Sequence, residues 1–302
     1  MSRVFLAALV LVTTGVVAGA SSAEGSVAQS PEGVVVARDG ELFAISLASG
    51  AEVRLTTTRA WESAPAVSPD GQTIVYGRAT ERSKEPTLWK MRLDGSRQSS
   101  LRVEGGSPAW TPDGKAIYFV RGFCCEICAN IWRTNATGRG TVRVTRGQVL
   151  ETDPAVSPNG RTLAFVNGDC QPGFPGGLVQ MTLATRRLRG FPKLPRDLDG
   201  SFDPSWAPDG LHIALNSGAD YPARVYVARA DGSDARAITR PRLFASAPEW
   251  SPDGGFIAMI GAGKPLGNDE VYVSRPDGSG LRQLTRSNER EFSVAWLPRM
   301  PK

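Results

Sequence analysis

Four cysteines are the most concentrated reactive groups in this 302-residue chain: Cys124, Cys125 and Cys128 crowd together, and Cys170 follows. An even, clustered count reads as two disulfides in an oxidising compartment. The Cys-x-x-Cys of 125–128 also fits half of a four-thiolate zinc site. A redox-active pair has less support, because no thioredoxin-like βαβ pattern surrounds these residues. His212 is the one histidine and no Gly-x-Ser-x-Gly elbow is present, which leaves a Ser-His-Asp triad little to draw on. Acids are better placed. Glu62, Glu151, Asp153, Asp203 and Glu291 each stand just ahead of a short apolar segment. Such carboxylates could hold Ca²⁺, with Asp153 and Asp203 its leading ligands. They could instead receive a basic segment of a partner, or work as a pair on a glycan.

What must position them is a repeat. Ser68-Pro69-Asp70-Gly71 returns as Thr111-Pro112-Asp113-Gly114, Ser157-Pro158-Asn159-Gly160, Ala207-Pro208-Asp209-Gly210 and Ser251-Pro252-Asp253-Gly254, with a broken copy at Leu297-Pro298. The intervals of 43–50 residues are those of a propeller blade. Proline presets φ, Asp or Asn bonds locally to the backbone, and Gly takes the left-handed conformation that closes the turn. A short apolar strand precedes each turn (Pro65-Ala66-Val67, Pro248-Glu249-Trp250) and a second follows it (Ile74-Val75-Tyr76, Ile257-Ala258-Met259). A third strand ends in Asp94-Gly95, Thr137-Gly138, Asp231-Gly232 or Asp277-Gly278, and a fourth in Val144-Thr145, Ile238-Thr239 or Leu284-Thr285. Four antiparallel strands make one blade.

The segments Val34–Val36, Leu42–Ile45 and Val53–Thr56 read as strands two to four of a blade lacking its first, and Glu291–Trp296 as the missing first strand. Joined, they complete a sixth blade and leave no open edge. The expected fold is all-β, a six-bladed propeller closed by its terminal strands. The pattern Pro-x-Trp-Ser-Pro-Asp-Gly, Ile-Ala-hydrophobic, Val-Tyr-Val, Asp-Gly and Leu-Thr resembles the TolB-type, WD-like propeller repeat, best at 246–285 and 202–239. The resemblance spans about 33–298. It implies the propeller fold and a role in binding proteins, without the extra α/β domain that precedes the propeller in TolB.

Residues 1–23 read as a signal peptide: Arg3 at the start, an apolar run from Val4 to Ala20, then small residues. Residues 24–32 form a short polar linker and 33–302 a single propeller domain. The mature protein is expected to be exported to the periplasm or cell exterior, monomeric and without a stable membrane anchor. Formal charge is +5, and the densest basic run is Arg186, Arg187, Arg189, Lys193 and Arg196. It fits a solvated outer edge, with a polyanion contact as the alternative. Nothing around it suggests nucleic acid. Trp110, Trp206, Trp250 and Trp296 recur at one blade position and read as packing between blades.

Aligned on their turns, Cys124 and Cys170 occupy the same loop of neighbouring blades. This favours one bridge from the Cys124-Cys125 pair to Cys170 and the other to Cys128. Loops between second and third strands are long and dissimilar, whereas the turns of the opposite face are short and uniform. Recognition is expected on the loop-rich face. The chain therefore reads as a non-enzymatic scaffold for a protein or peptide partner, with a glycan lyase or hydrolase using Asp153 and Asp203 as the alternative.

Overall fold

A computed structural model of the chain describes residues 32–83, 85–122, 129–147, 149–168, 177–195, 198, 202–217, 223–263 and 268–300. Residues 1–31, Arg196 and all four cysteines lie outside them. The chain opens with β1 (Gly33–Arg38), β2 (Glu41–Ser46) and β3 (Glu52–Arg54). Blade 1 follows as β4 (Trp61–Val67), β5 (Thr73–Ala79), β6 (Thr87–Arg92) and β7 (Ser99–Glu104). Blade 2 is β8 (Gly106–Trp110), β9 (Ala116–Arg121), β10 (Asn130–Asn135) and β11 (Val142–Arg143). Blade 3 is β12 (Leu150–Val156), β13 (Thr162–Gly168), β14 (Gly177–Thr182) and β15 (Arg187–Gly190). Blade 4 is β16 (Phe202–Trp206), β17 (His212–Asn216), β18 (Val225–Arg229) and β19 (Arg236–Ala237). Blade 5 is β20 (Phe244–Trp250), β21 (Ile257–Ala262), β22 (Glu270–Ser274) and β23 (Arg282–Gln283). Finally β24 (Glu291–Leu297) pairs antiparallel with β1, from Gly33 opposite Leu297 to Ala37 opposite Ser293, and completes blade 6. The ring closes as the sequence predicts.

The core is divided. Each of six buried clusters belongs to the seam between two neighbouring blades, as with Val75, Leu88, Ile117 and Phe119 between blades 1 and 2. Second strands are therefore buried on both faces. In β1, Val35 packs towards blade 1 while Val34 and Val36 pack towards blade 5. That explains their continuous apolar runs where a half-exposed strand would alternate.

Two polar devices repeat. In the turn at 68–71 the Ser68 hydroxyl donates to Asp70 Oδ1 (2.5 Å) and accepts the Thr73 N–H (3.0 Å), while the Gly71 N–H reaches Ser68 O (2.8 Å). Thr111, Ser157 and Ser251 do the same. Ala207 has no hydroxyl, and there His212 Nδ1 contacts Asp209 Oδ2 at 2.8 Å, so the one histidine is a half-exposed strand residue at the start of β17 that braces the turn. The threonine closing a fourth strand accepts an N–H from the start of the third strand: Thr56 from Leu42, Thr145 from Ile131, Thr239 from Val225 and Thr285 from Val271.

All six outer strands carry arginine, and β15 is exposed along its whole length. Short, charged edges of this kind oppose pairing with other sheets. No helix among the described residues is long and apolar enough to cross a membrane.

Candidate functional site

First strands surround the axis and run from the loop-rich face to the turn face. Within them the sequence-selected acids divide into two groups. Glu62, Glu151 and Glu291 stand three residues before the Pro65, Pro154 and Val294 positions and are fully buried. Each is closed by its own partners. Glu62 Oε1 accepts from Thr58 Oγ1 (2.6 Å) and lies 2.8 Å from Arg78 Nε. Arg78 in turn stacks 4.1 Å over the Trp89 ring. Glu151 accepts from Asn130 Nδ2 (2.8 Å), and Arg143 Nη2 donates to the Asn130 oxygen (2.5 Å). Glu291 accepts from Thr285 (2.6 Å) and from Arg38 Nε (2.9 Å) and Nη2 (2.6 Å); burial still holds its carboxyl above the usual range. These three glutamates tie inter-blade loops to first strands.

Asp153 and Asp203 stand one residue before the proline, and the backbone changes there. Ala64, Ser107, Asp153, Asp203 and Ala247 all have φ between 47° and 53°, and the ladder to the second strand slips across each of them. The repeated bulge re-aims this position. Asp203 Oδ2 accepts the Ala247 N–H of the next blade (3.2 Å), as Ser293 Oγ accepts that of Ala64 (3.2 Å). Thr152 Oγ1 donates to Asp153 Oδ2 (2.9 Å). Burial raises the Asp153 carboxyl, and burial followed by the Asp153 charge pushes Asp203 up to about 7. The two half-buried acids form one coupled pair on adjacent blades.

Nearer the turn face the axis widens into a cavity of 780 Å³. Trp110, Trp206, Trp250 and Trp296 stand in its wall. Three of them staple blades together: the Nε1–H of Trp110 donates to Ala66 O (3.1 Å), that of Trp206 to Ala155 O (3.2 Å) and that of Trp296 to Glu249 O (2.8 Å). The tryptophans thus pack between blades, as their spacing predicts, three of them by a hydrogen bond, and also face a space. One acid lines it beside them. Glu249 occupies a position held by Ala66, Ala109, Ala155, Ser205 and Ala295 in the other blades. Burial pushes its carboxyl up to about 7, against a hydrogen bond with Ser205. The sequence gives a signal for it, a lone acid in a column of Ala and Ser, which comparison of the repeats position by position exposes.

Asp153, Asp203 and Glu249 lie on three consecutive blades, and among the described residues no lysine or arginine offsets any of them. Among the described residues, no group of three or more His, Cys, Asp or Glu is placed to hold a metal. A cation at the axis would find two carboxylates, Asp153 and Asp203.

On the loop-rich face, Trp61 and Phe292 are 47% and 45% exposed, with ring centroids 5.7 Å apart. Arg290 lies 6.0 Å over Phe292 and is paired with Asp269 (2.8 Å).

A profile of the TolB beta propeller domain matches residues 1–189. The chain belongs to the TolB beta propeller domain family. Among curated relatives, a protein TolB homolog of Chlorobium luteolum is 33% identical over 134 residues, 44% of this chain and 28% of the relative. The uncharacterized peptidase YuxL of Bacillus subtilis is 31% identical over 112 residues, 36% of this chain and 16% of that protein. The chain thus covers less than a third of the length of either. The crystal structure of TolB from Acinetobacter baumannii superposes with a TM-score of 0.72 at 18% identity, over 88% of this chain and 66% of that one. At that identity the likeness speaks for the fold, which hosts more than one kind of function.

Proposed function

We propose that this TolB-family propeller is a non-enzymatic scaffold that binds a protein or peptide partner through its loop-rich face. The observation that carries the reading is the exposed Trp61–Phe292 pair beside Arg290, the residue types that dominate binding energy when a partner buries them. Leu150, 39% exposed, occupies the Trp61 position in blade 3 and adds a separate exposed apolar side chain. The uncompensated Asp153–Asp203 pair would accept a basic group of the partner, or a Ca²⁺ ion, at the axis. In this reading residues 1–23 are a removed leader, 24–32 a linker and 33–302 one monomeric domain in the periplasm or outside the cell. Cys124, Cys125, Cys128 and Cys170 are paired as structural disulfides.

The test is capture from the host's envelope and secreted fractions by residues 24–302, with Ca²⁺ and with chelator. A specific protein retained by the wild type and lost with W61A/F292A supports the reading. Equal capture by the double variant removes the aromatic pair from it.

One observation favours a second reading. Two coupled acids, one with a carboxyl near 7, are what a glycan lyase or hydrolase uses for proton transfer. Turnover of a glycan panel that D203N abolishes, with no retained protein, would replace the scaffold by the enzyme.

A further inference from the structure

The turn-face cavity has the composition of a ligand site, and it lies at the opposite end of the axis from the loop-rich face. Its 780 Å³ falls within the range of small-molecule pockets. Apart from Glu249, the residues around its inner end are Pro, Ala, Val, Ser and Trp, and Asp70 at the turn rim is the other charged residue of its lining. No cation lines it. A carboxylate placed in such surroundings is an uncompensated cost to the fold, because no described lysine or arginine neutralises it.

The acid is also oriented. Its side chain bonds Ser205 of the neighbouring blade, and Ser205 Oγ accepts the Trp250 N–H (3.0 Å). This seam departs from the others at one further point. By the repeat, Trp250 Nε1 would donate to the Ser205 carbonyl. Instead that nitrogen is buried with no hydrogen-bond partner among the described residues, and Trp250 itself is 9% exposed. The blade that carries the acid is the one whose tryptophan leaves the staple. Meanwhile Trp110, Trp206 and Trp296 are fixed by their bonds to neighbouring carbonyls, so three aromatic walls are preorganised around the carboxylate.

The geometry points to a binding site for a small organic cation, an alkylammonium or alkylguanidinium compound whose charged head meets Glu249 and whose apolar stem lies among the tryptophans. Indole rings attract cations, and the attraction grows when water is excluded. A carboxylate adds a charge-assisted hydrogen bond to an N–H-bearing head. The same composition rejects the rival ligands. Calcium requires six to eight oxygens and here finds one carboxylate and a hydroxyl, and an anion meets only negative charge. This inference is independent of the partner-binding face.

The test uses the mature chain and three probes of similar size: butylammonium, butylguanidinium and, as a neutral control, pentanol. Tryptophan fluorescence and calorimetry report binding. At least one cation should bind, pentanol at least tenfold more weakly. E249A should weaken the cation about tenfold or more. Because Ala already stands at this position in four blades, E249A keeps the fold, and an unchanged or raised melting temperature confirms it. W61A/F292A should leave the affinity unaltered. Equal binding of pentanol, equal cation affinity in E249A, or no binding of either cation overturns the assignment.

Discussion

Arg38 and Glu291, 253 residues apart in the chain, form a buried ion pair with two hydrogen bonds of 2.9 and 2.6 Å, beside the junction of β1 with β24. Arg38 also reaches Glu52 on the outer strand of the same blade, at 2.6 and 2.8 Å. The seam that closes the ring is therefore held by charge as well as by backbone pairing. Removing Arg38 leaves Glu291 buried without its cation, which costs about 3–5 kcal/mol, whereas removing Glu291 leaves Arg38 its two bonds to Glu52. R38M should lower stability on that scale in urea unfolding, and E291M by less, because Arg38 keeps Glu52. The double variant R38M/E291M should recover part of the loss, because no charge is left stranded. Strictly additive losses would mean that the two side chains do not act as a pair.

Gly138 and Gly140 are two residues apart in one hairpin and share the left-handed conformation, with φ of +82° and +67°. Their surroundings differ. A Cβ on Gly138 would overlap the Leu101 carbonyl of the preceding blade, whereas one on Gly140 meets nothing within 4 Å. G140A should cost about 1 kcal/mol, the strain of a left-handed alanine. G138A should cost a further ~1–3 kcal/mol, the scale of overpacking against an immovable neighbour. Equal melting temperatures for the two variants would refute the close approach.

Gly138 also marks how far the sequence is legible. Its Thr-Gly signal places a turn correctly, as the Pro-Asp-Gly copies do, because turn chemistry is local and repeats with the fold. The continuous apolar runs of the second strands likewise announce burial on both faces. Burial at the axis is different. Glu151 and Asp153 are two residues apart and share a face in a regular strand. The bulge at Asp153 breaks that register, so Glu151 closes on Asn130 while Asp153 couples to Asp203 on the next blade. Neither residue's type signals the bulge, since Ala64 and Ser107 adopt it too. The acids that sequence groups together are therefore two populations.

Trp61 rests against the hairpin of blade 6, where its Cε3 would lie 2.8 Å from a Cβ on Gly40. Half of the ring remains exposed, so truncation should cost little in the free protein. W61A and F292A should each shift stability by less than about 1 kcal/mol. Burial of the same rings by a partner would make each worth about 2 kcal/mol or more of affinity. Titration of the captured partner against each variant checks this, with urea unfolding as the control. A variant that loses stability and affinity together would assign the ring to folding.

Asp203 and Glu249 contribute to the pH response. Both have folded-state values near 7, against ordinary values of 3.8 and 4.5. An acid whose value is raised by folding holds its proton more tightly in the folded state, so the favourable contribution is complete below pH ~4 and is lost as pH rises through ~7. The melting temperature should therefore fall between pH 5 and pH 8 at constant ionic strength. D203N and E249A should each reduce that slope and raise stability at pH 8, while Asp153 and Glu291, which burial also raises, retain a share of it. Glu62 and Glu151 are held by hydrogen bonds from Thr58 and Asn130, so E62Q and E151Q should destabilise the protein by weakening those contacts. A wild-type melting temperature that rises from pH 5 to pH 8 would show that the axial acids are ionised without cost, and would withdraw the electrostatic basis for a cation at the axis.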